Sequence, residues 1–297
     1  MADALQMRAQ GLANEAAAAS DQDAHGRAPD AVSALYADAR VPPVEWTICS
    51  ARRRMATTMA PMTPGSPRLP LLLLPGLLCD ARLWRDQASG LADIADSRIA
   101  DLTQDDSVAA MAARALAAAP PRFALAALSM GGYVAFEILR QAPERVTRLA
   151  LLATSARADP PKRAAVRRAS LALAGSGRFA GVTRKLLPQL VHARHVDDAV
   201  GQEVMAMAER VGRDAFLRQQ QAILDRPDSS DLLPTLQLPT LVGVGDDDRM
   251  TAPEESRYLQ AHIPGARLHV FTACGHLPPL EQPEATTALL RDWLLAA

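Results

Sequence analysis

The sequence predicts an α/β fold: a doubly wound, mostly parallel sheet with an inserted helical lid. Three observations predict it. Short continuous apolar runs such as Leu71–Leu74 and Phe123–Leu128 suit strands buried on both faces. These runs alternate with stretches of helical character bounded by serine or proline. One long interval, residues 155–232, has no strand signal at all.

The elements follow in order. Leu71–Leu74 is the first strand, and a helical stretch follows around Ala81–Leu91. Arg98–Leu102 reads as a second strand. Ser107 caps a helix through Ala118, which stops at Pro120-Pro121. Phe123–Leu128 is the third strand, and Gly131–Arg140 a helix ending before Pro143. Val146–Leu152 is the fourth strand. Beyond the interval come strand Thr240–Val244, a helix opening at Pro253, strand Arg267–Phe271 and a final helix, Pro283–Leu295. The interval itself reads as helices after Pro160-Pro161, across Arg178–Leu187, from Asp197 to Val211 and across Asp214–Leu224. Helices inserted after a strand end tend to lie over a site at that edge of the sheet. The expected organisation is therefore a core of residues 65–154 and 233–297, with a helical lid of residues 155–232.

Residues 1–64 stand apart. They carry little apolar periodicity to bury and read as a disordered extension, although Val44–Ile48 has the pattern of a short strand. Arg52-Arg53-Arg54 ahead of Leu69–Leu74 mimics a secretion signal, with Cys79 as a lipid-anchor site. The basic cluster lies too deep in the chain, and Pro67, Pro70 and Pro75 break the run, so the expected location is the cytoplasm.

Composition excludes several classes. The chain has 297 residues, with 32 Lys+Arg against 33 Asp+Glu, a balance unsuited to a general nucleic-acid binder. Hydrophobic residues make up 49% but aromatics only 4%, so Leu, Val and Ala must build the core. Cys49, Cys79 and Cys274 are too few and scattered for a disulfide scaffold or a structural zinc site. No run approaches the roughly 20 apolar residues of a membrane-spanning helix.

The chemistry centres on Ala127-Leu128-Ser129-Met130-Gly131-Gly132, set between a strand and a helix. A serine there stands on a sharp turn with its Oγ above the sheet edge, and small neighbours let strand and helix approach. The helix beginning after it offers N–H groups to a developing oxyanion. Two later segments complete the set. Gly245-Asp246-Asp247-Asp248 leaves a strand, and Gly275-His276 follows the final strand. His276 can take the proton of Ser129 near neutral pH. A carboxylate, Asp248, would hold the histidine tautomer and stabilise the imidazolium.

With the order Ser129, Asp248, His276 in place, the chain resembles the α/β-hydrolase superfamily over about residues 68–297. The resemblance implies the Gly-x-x-Asp spacing that selects Asp248 over Asp246 and Asp247. The superfamily's alternative acid position, after an earlier strand, is occupied here by Thr154. Pro75-Gly76-Leu77 looks like the superfamily's His-Gly-x loop with proline for histidine, and Leu277–Pro283 like its segment after the histidine. The implied oxyanion donors are the backbone N–H groups of Leu77 and Met130. The elbow and lid resemble small esterases and enol-lactonases. The expected activity is cleavage of a carboxylic ester or lactone through an acyl-Ser129 intermediate, with no metal or organic cofactor. Acyl transfer, carbon–carbon bond hydrolysis and a non-catalytic ligand-binding relative are the alternatives. The expected partner is a small-molecule substrate, with neither nucleic acid nor membrane.

Minor signals complete the reading. Gly175-Ser176-Gly177 resembles a dinucleotide fingerprint but lacks a preceding strand. His192 and His195 at i, i+3 lack a third metal ligand. Cys79, a rival nucleophile, has no strand–turn–helix setting. Residues 155–195 hold nine Lys/Arg (among them Arg163, Arg167 and Arg168) and one acid, Asp159. Either this is a solvated helix face or a field favouring anionic substrates.

Overall fold

Six segments pair into one sheet in the computed structural model, which describes residues 68–296. They are β1 (Leu69–Leu74), β2 (Ala95–Ile99), β3 (Phe123–Leu128), β4 (Val146–Leu152), β5 (Thr240–Gly245) and β6 (Arg267–Phe271). The spatial order is β2-β1-β3-β4-β5-β6, and every pairing is parallel. Every residue of β3 and β5 is buried, whereas in edge strand β2 only Ala95 is buried and exposed positions alternate with half-buried ones. That difference follows from coverage, since central parallel strands lie beneath helices on both faces.

Alternation along β1 assigns the two faces. Leu72 and Leu74 join the cluster beneath α2 (Val108–Ala118), α3 (Met130–Gln141) and α7 (Pro253–His262). Leu71 and Leu73 join the opposite cluster, with Trp84, Leu290 and Trp293. Here α1 (Arg85–Gly90) and α9 (Pro283–Leu295), the latter preceded by the single turn α8 (Pro278–Glu281), pack on each other. Ser107 caps α2, its Oγ accepting the Ala110 N–H at 3.2 Å.

Four expectations are corrected. The second strand is Ala95–Ile99 rather than Arg98–Leu102, because its register with β1 runs from Leu69↔Ala95 to Leu73↔Ile99. Pairing ends where the Asp101 carboxylate accepts the Thr103 N–H and turns the chain. The stretch expected as a helix over Ala81–Leu91 is a 3-10 turn, Ala81–Trp84, followed by α1. Between β4 and β5 lie α4 (Pro161–Gly175), the single turn α5 (Leu187–Leu190) and α6 (Ala199–Leu224). No helix spans Arg178–Leu187, since Gly177 and Gly181 adopt φ of 88° and 62°, outside helical geometry. The two helices expected over Asp197–Leu224 run together as α6, and Gly212 (φ 77°, ψ 177°) marks the kink between them.

Loops at the carboxyl ends of the strands carry backbone strain. Leu78, Ser129, Ala153 and Ala273 have positive φ without being glycine, and they follow β1, β3, β4 and β6. Val44–Ile48 and the extension expected over residues 1–64 lie outside the described residues. No helix among the described residues is long and apolar enough to cross a membrane.

Candidate active site

Ser129 sits between β3 and α3 with φ 53° and ψ −115°. Its N–H donates to the Leu152 carbonyl at 3.0 Å, and its carbonyl accepts the Gly132 N–H at 2.9 Å. The Thr154 hydroxyl also donates to that carbonyl, at 2.7 Å. These bonds hold a conformation that a serine would otherwise leave. A Cβ on Gly131 would lie 2.5 Å from the Leu74 carbonyl oxygen, so only glycine lets α3 pass β1 this closely. Ala127, where the superfamily usually has glycine, is fully buried in β3 and leaves the turn intact.

His276 and Asp248 meet in the loops after β6 and β5. Nδ1 of His276 lies 2.9 and 3.0 Å from the two Asp248 carboxylate oxygens. Both side chains are buried. A carboxylate only accepts, so Nδ1 carries a proton, and in the neutral imidazole Nε2 is then the acceptor. Asp248 Oδ1 also accepts the N–H groups of Met250 and Thr251 at 2.9 and 2.8 Å. Its neighbours are used differently. Asp246 accepts the Cys274 N–H at 3.2 Å, and half-buried Asp247 pairs with exposed Arg249 at 3.1 Å. Gly245 passes so close to the Cys274 and Gly275 carbonyls that any side chain there would collide with backbone.

One residue of this arrangement escaped the sequence reading. Buried Glu281 accepts the N–H of Gly275 at 2.9 Å and of Leu277 at 3.0 Å, on either side of His276. It also accepts the His192 N–H at 2.8 Å, tying in the loop before α6. The available signal was an acid among Leu and Pro in a segment too apolar to be solvent-facing. Thr154, noted only as an alternative acid position, is instead a support for the Ser129 turn.

A cavity is lined by Ser129 and His276 together with Leu77 and Met130. Met130 is the first residue of α3, where a helix has no internal partner for its N–H. The adjoining loop is fixed by the Leu78 N–H, which donates to Gln219 Oε1 at 3.0 Å. Cys79 also lines the cavity, but burial pushes its thiol up to about 12. It therefore remains a thiol and not a nucleophilic thiolate near neutral pH.

The remaining candidates have other surroundings. His195 Nδ1 lies 2.7 Å from Asp198, and among the described residues no three His, Cys, Asp or Glu cluster as a metal site. Gly175-Ser176-Gly177 follows helix α4, not a strand. Acids elsewhere in the fold answer part of the basic excess. Arg157 pairs with Glu255 at 2.6 Å, Arg184 pairs with Asp197, and Arg163 and Arg167 flank Asp159.

Residues 70–283 match the alpha/beta hydrolase fold family. A pimeloyl-(acyl-carrier protein) methyl ester esterase from Neisseria meningitidis is 31% identical over 179 residues, 56% of this chain and 67% of that protein. Another copy of that esterase in the same species is matched over 55% of its length. An esterase from Thermogutta terrifontis, solved with malate bound, superposes with a TM-score of 0.68 at 31% identity, covering 76% of this chain and 89% of that one. An enol-lactonase from Burkholderia xenovorans shares the fold at a TM-score of 0.63 and 22% identity, over 77% and 92% of the two chains. On the family match and the fold just described, the chain belongs to the alpha/beta hydrolase fold family, as one of its hydrolase enzymes.

Proposed function

We propose that the protein cleaves a small carboxylic ester or lactone through an acyl-enzyme on Ser129. The observation that carries this reading is the buried Asp248–His276 pair lining one cavity with the strained Ser129 turn. In this mechanism His276 Nε2 takes the Ser129 proton as Oγ attacks the ester carbonyl. The N–H groups of Leu77 and Met130 stabilise the oxyanion. The tetrahedral intermediate collapses, and His276 returns the proton to the departing alkoxide. Water, deprotonated by the same imidazole, then releases the acid and restores Ser129. Asp248 holds Nδ1–H throughout and stabilises the imidazolium.

The segment 155–232 acts in this reading as a lid, supported by its share of the cavity wall, including Leu186, Met207 and Phe216. Free, buried Cys79 and Cys274 are in keeping with a cytoplasmic enzyme. The name of the Neisseria relative specifies a methyl ester, which makes methyl esters of medium-length acids the first substrates to assay.

A fluorophosphonate probe tests the assignment. Wild type should be labelled and Ser129→Ala should not, with kcat falling by as much as about 10⁶. Labelling that persists in the variant, or moves to Cys79, overturns it.

A further inference from the structure

The cavity that holds Ser129 and His276 has a wall that is mostly apolar, with Arg163, Arg167 and Gln220 set into it. Few polar groups in an apolar pocket are those that orient a ligand. Arg167 comes from α4 and Gln220 from α6, and their exposures are 3% and 1%. Arg167 Nη1 donates to Gln220 Oε1 at 2.8 Å. A guanidinium has only donors, so the amide oxygen must face it and the amide nitrogen must face elsewhere. That nitrogen, Nε2, is buried and has no hydrogen-bond partner among the described residues. A dry unmet donor is costly and calls for an acceptor.

The charge around it points to an anion. Asp159, itself 5% exposed, lies against Arg163, Arg167 and Arg226. Burial pushes its carboxyl up, but the three guanidinium groups outweigh this and hold it at about 2. Arg167 and Arg226, both buried, thus share the one carboxylate of Asp159, so two positive charges face one negative charge next to the cavity. Arg226 lies 4.0 Å over the ring of Tyr133, another cavity residue.

We propose that Gln220 and Arg167 receive a second carboxylate of the substrate, remote from the bond that Ser129 attacks. The preferred substrates are then esters or lactones of acids that keep one free carboxylate. This rests on the ester-cleaving reading above. A carboxylate supplies the acceptor that Nε2 lacks and the charge that the cluster answers.

The test compares pairs of p-nitrophenyl esters. One member is the half-ester of a dicarboxylic acid, from glutaric to azelaic. The other carries an isopropyl group in place of the free carboxylate, matching its shape without charge. An alcohol-side pair, acetates of ω-hydroxy acids and of the matching branched alcohols, covers the opposite orientation. At one chain length in one series, kcat/KM should favour the carboxylate about tenfold or more. Because each ratio is internal to one preparation, a partly folded variant does not disturb it. Gln220→Met, close in volume but without a donor, should bring the ratio near one, and Gln220→Glu should invert it.

Ratios near one for wild type at every length in both series overturn the proposal while leaving ester cleavage standing. So does a wild-type preference that survives Gln220→Met, since a water would then satisfy Nε2. Calorimetry separates the other failure. If wild type cleaves none of the esters yet binds suberate, and Gln220→Met weakens that binding, the recognition site stands and the esterase reading falls.

Discussion

The Leu277 backbone N–H donates to Oε1 of Glu281 at 3.0 Å, so a side chain four residues on holds the segment that carries His276. The other oxygen takes the N–H groups of Gly275 and His192. In Glu281→Gln the amide nitrogen must face one of these donors. The expected result is a kcat about 10²-fold lower with little change in KM, since misplacement by about 1 Å can cost that much. Active-site titration distinguishes this from partial unfolding: a positioning defect leaves the titre intact, and a fall in titre equal to the fall in kcat refutes it.

The aspartate triplet should divide sharply under Asn substitution. Asp248→Asn is expected to lower kcat about 10⁴-fold, because the amide favours the wrong histidine tautomer. Asp247→Asn, on an exposed pair with Arg249, should leave activity near wild type and stability within about 0.5 kcal/mol. Asp246→Asn should act on stability rather than chemistry, since Asp246 accepts the Cys274 N–H. Parallel kinetics and melting of the three variants check this, and a large kinetic loss at Asp247 would reassign the acid.

Gly131 and Gly175 offer opposite outcomes for the same change. Gly131→Ala would bring its methyl within 2.5 Å of the Leu74 oxygen and 2.8 Å of the Pro75 oxygen, both backbone. It should destabilise by about 1–3 kcal/mol and disturb the loop bearing Leu77. Gly175→Ala meets nothing within 4 Å and should be neutral or stabilise by about 0.4–1 kcal/mol. Denaturant unfolding of both variants measures the contrast.

Acid should weaken the cluster around Asp159. Its pKa lies below the ordinary 3.8, at about 2, so its stabilisation is complete above about pH 4 and is lost as pH falls through 2. Asp159→Asn removes the anion that the buried Arg167 and Arg226 guanidinium groups share and should cost about 3–5 kcal/mol at neutral pH. The gap between the two proteins should narrow between pH 4 and pH 2. Melting curves across that range provide the measurement, and a constant gap would contradict the ionised cluster.

Legibility in the sequence tracked the range of the interactions. Strands β3, β4 and β6 have the expected bounds, because their apolar runs are bracketed by proline or by turn residues close in sequence. Ser129, Asp248 and His276 stand in short motifs readable without knowing the packing around them. Strand β2 was misjudged because an edge strand of Ala, Asp, Ser, Arg and Ile has no apolar run, and its register is set by β1. Glu281 and Gln220 were invisible as site residues. Besides its near neighbours Gly275 and Leu277, Glu281 binds His192, 89 residues away, and Gln220 binds Arg167, 53 residues away; only the folded chain makes these distant pairs neighbours.

The four left-handed backbones after β1, β3, β4 and β6 make the two rims of the sheet unequal to an engineer. Each such residue costs on the order of 1–3 kcal/mol and persists only because its surroundings hold it. Tags, permuted termini or grafted loops placed on that rim would release conformations that the strands keep under tension. The opposite rim enters its strands through Pro120-Pro121, Pro143 and Pro239, whose backbones are already in allowed conformations. Insertions belong there, where no described non-glycine residue has a positive φ.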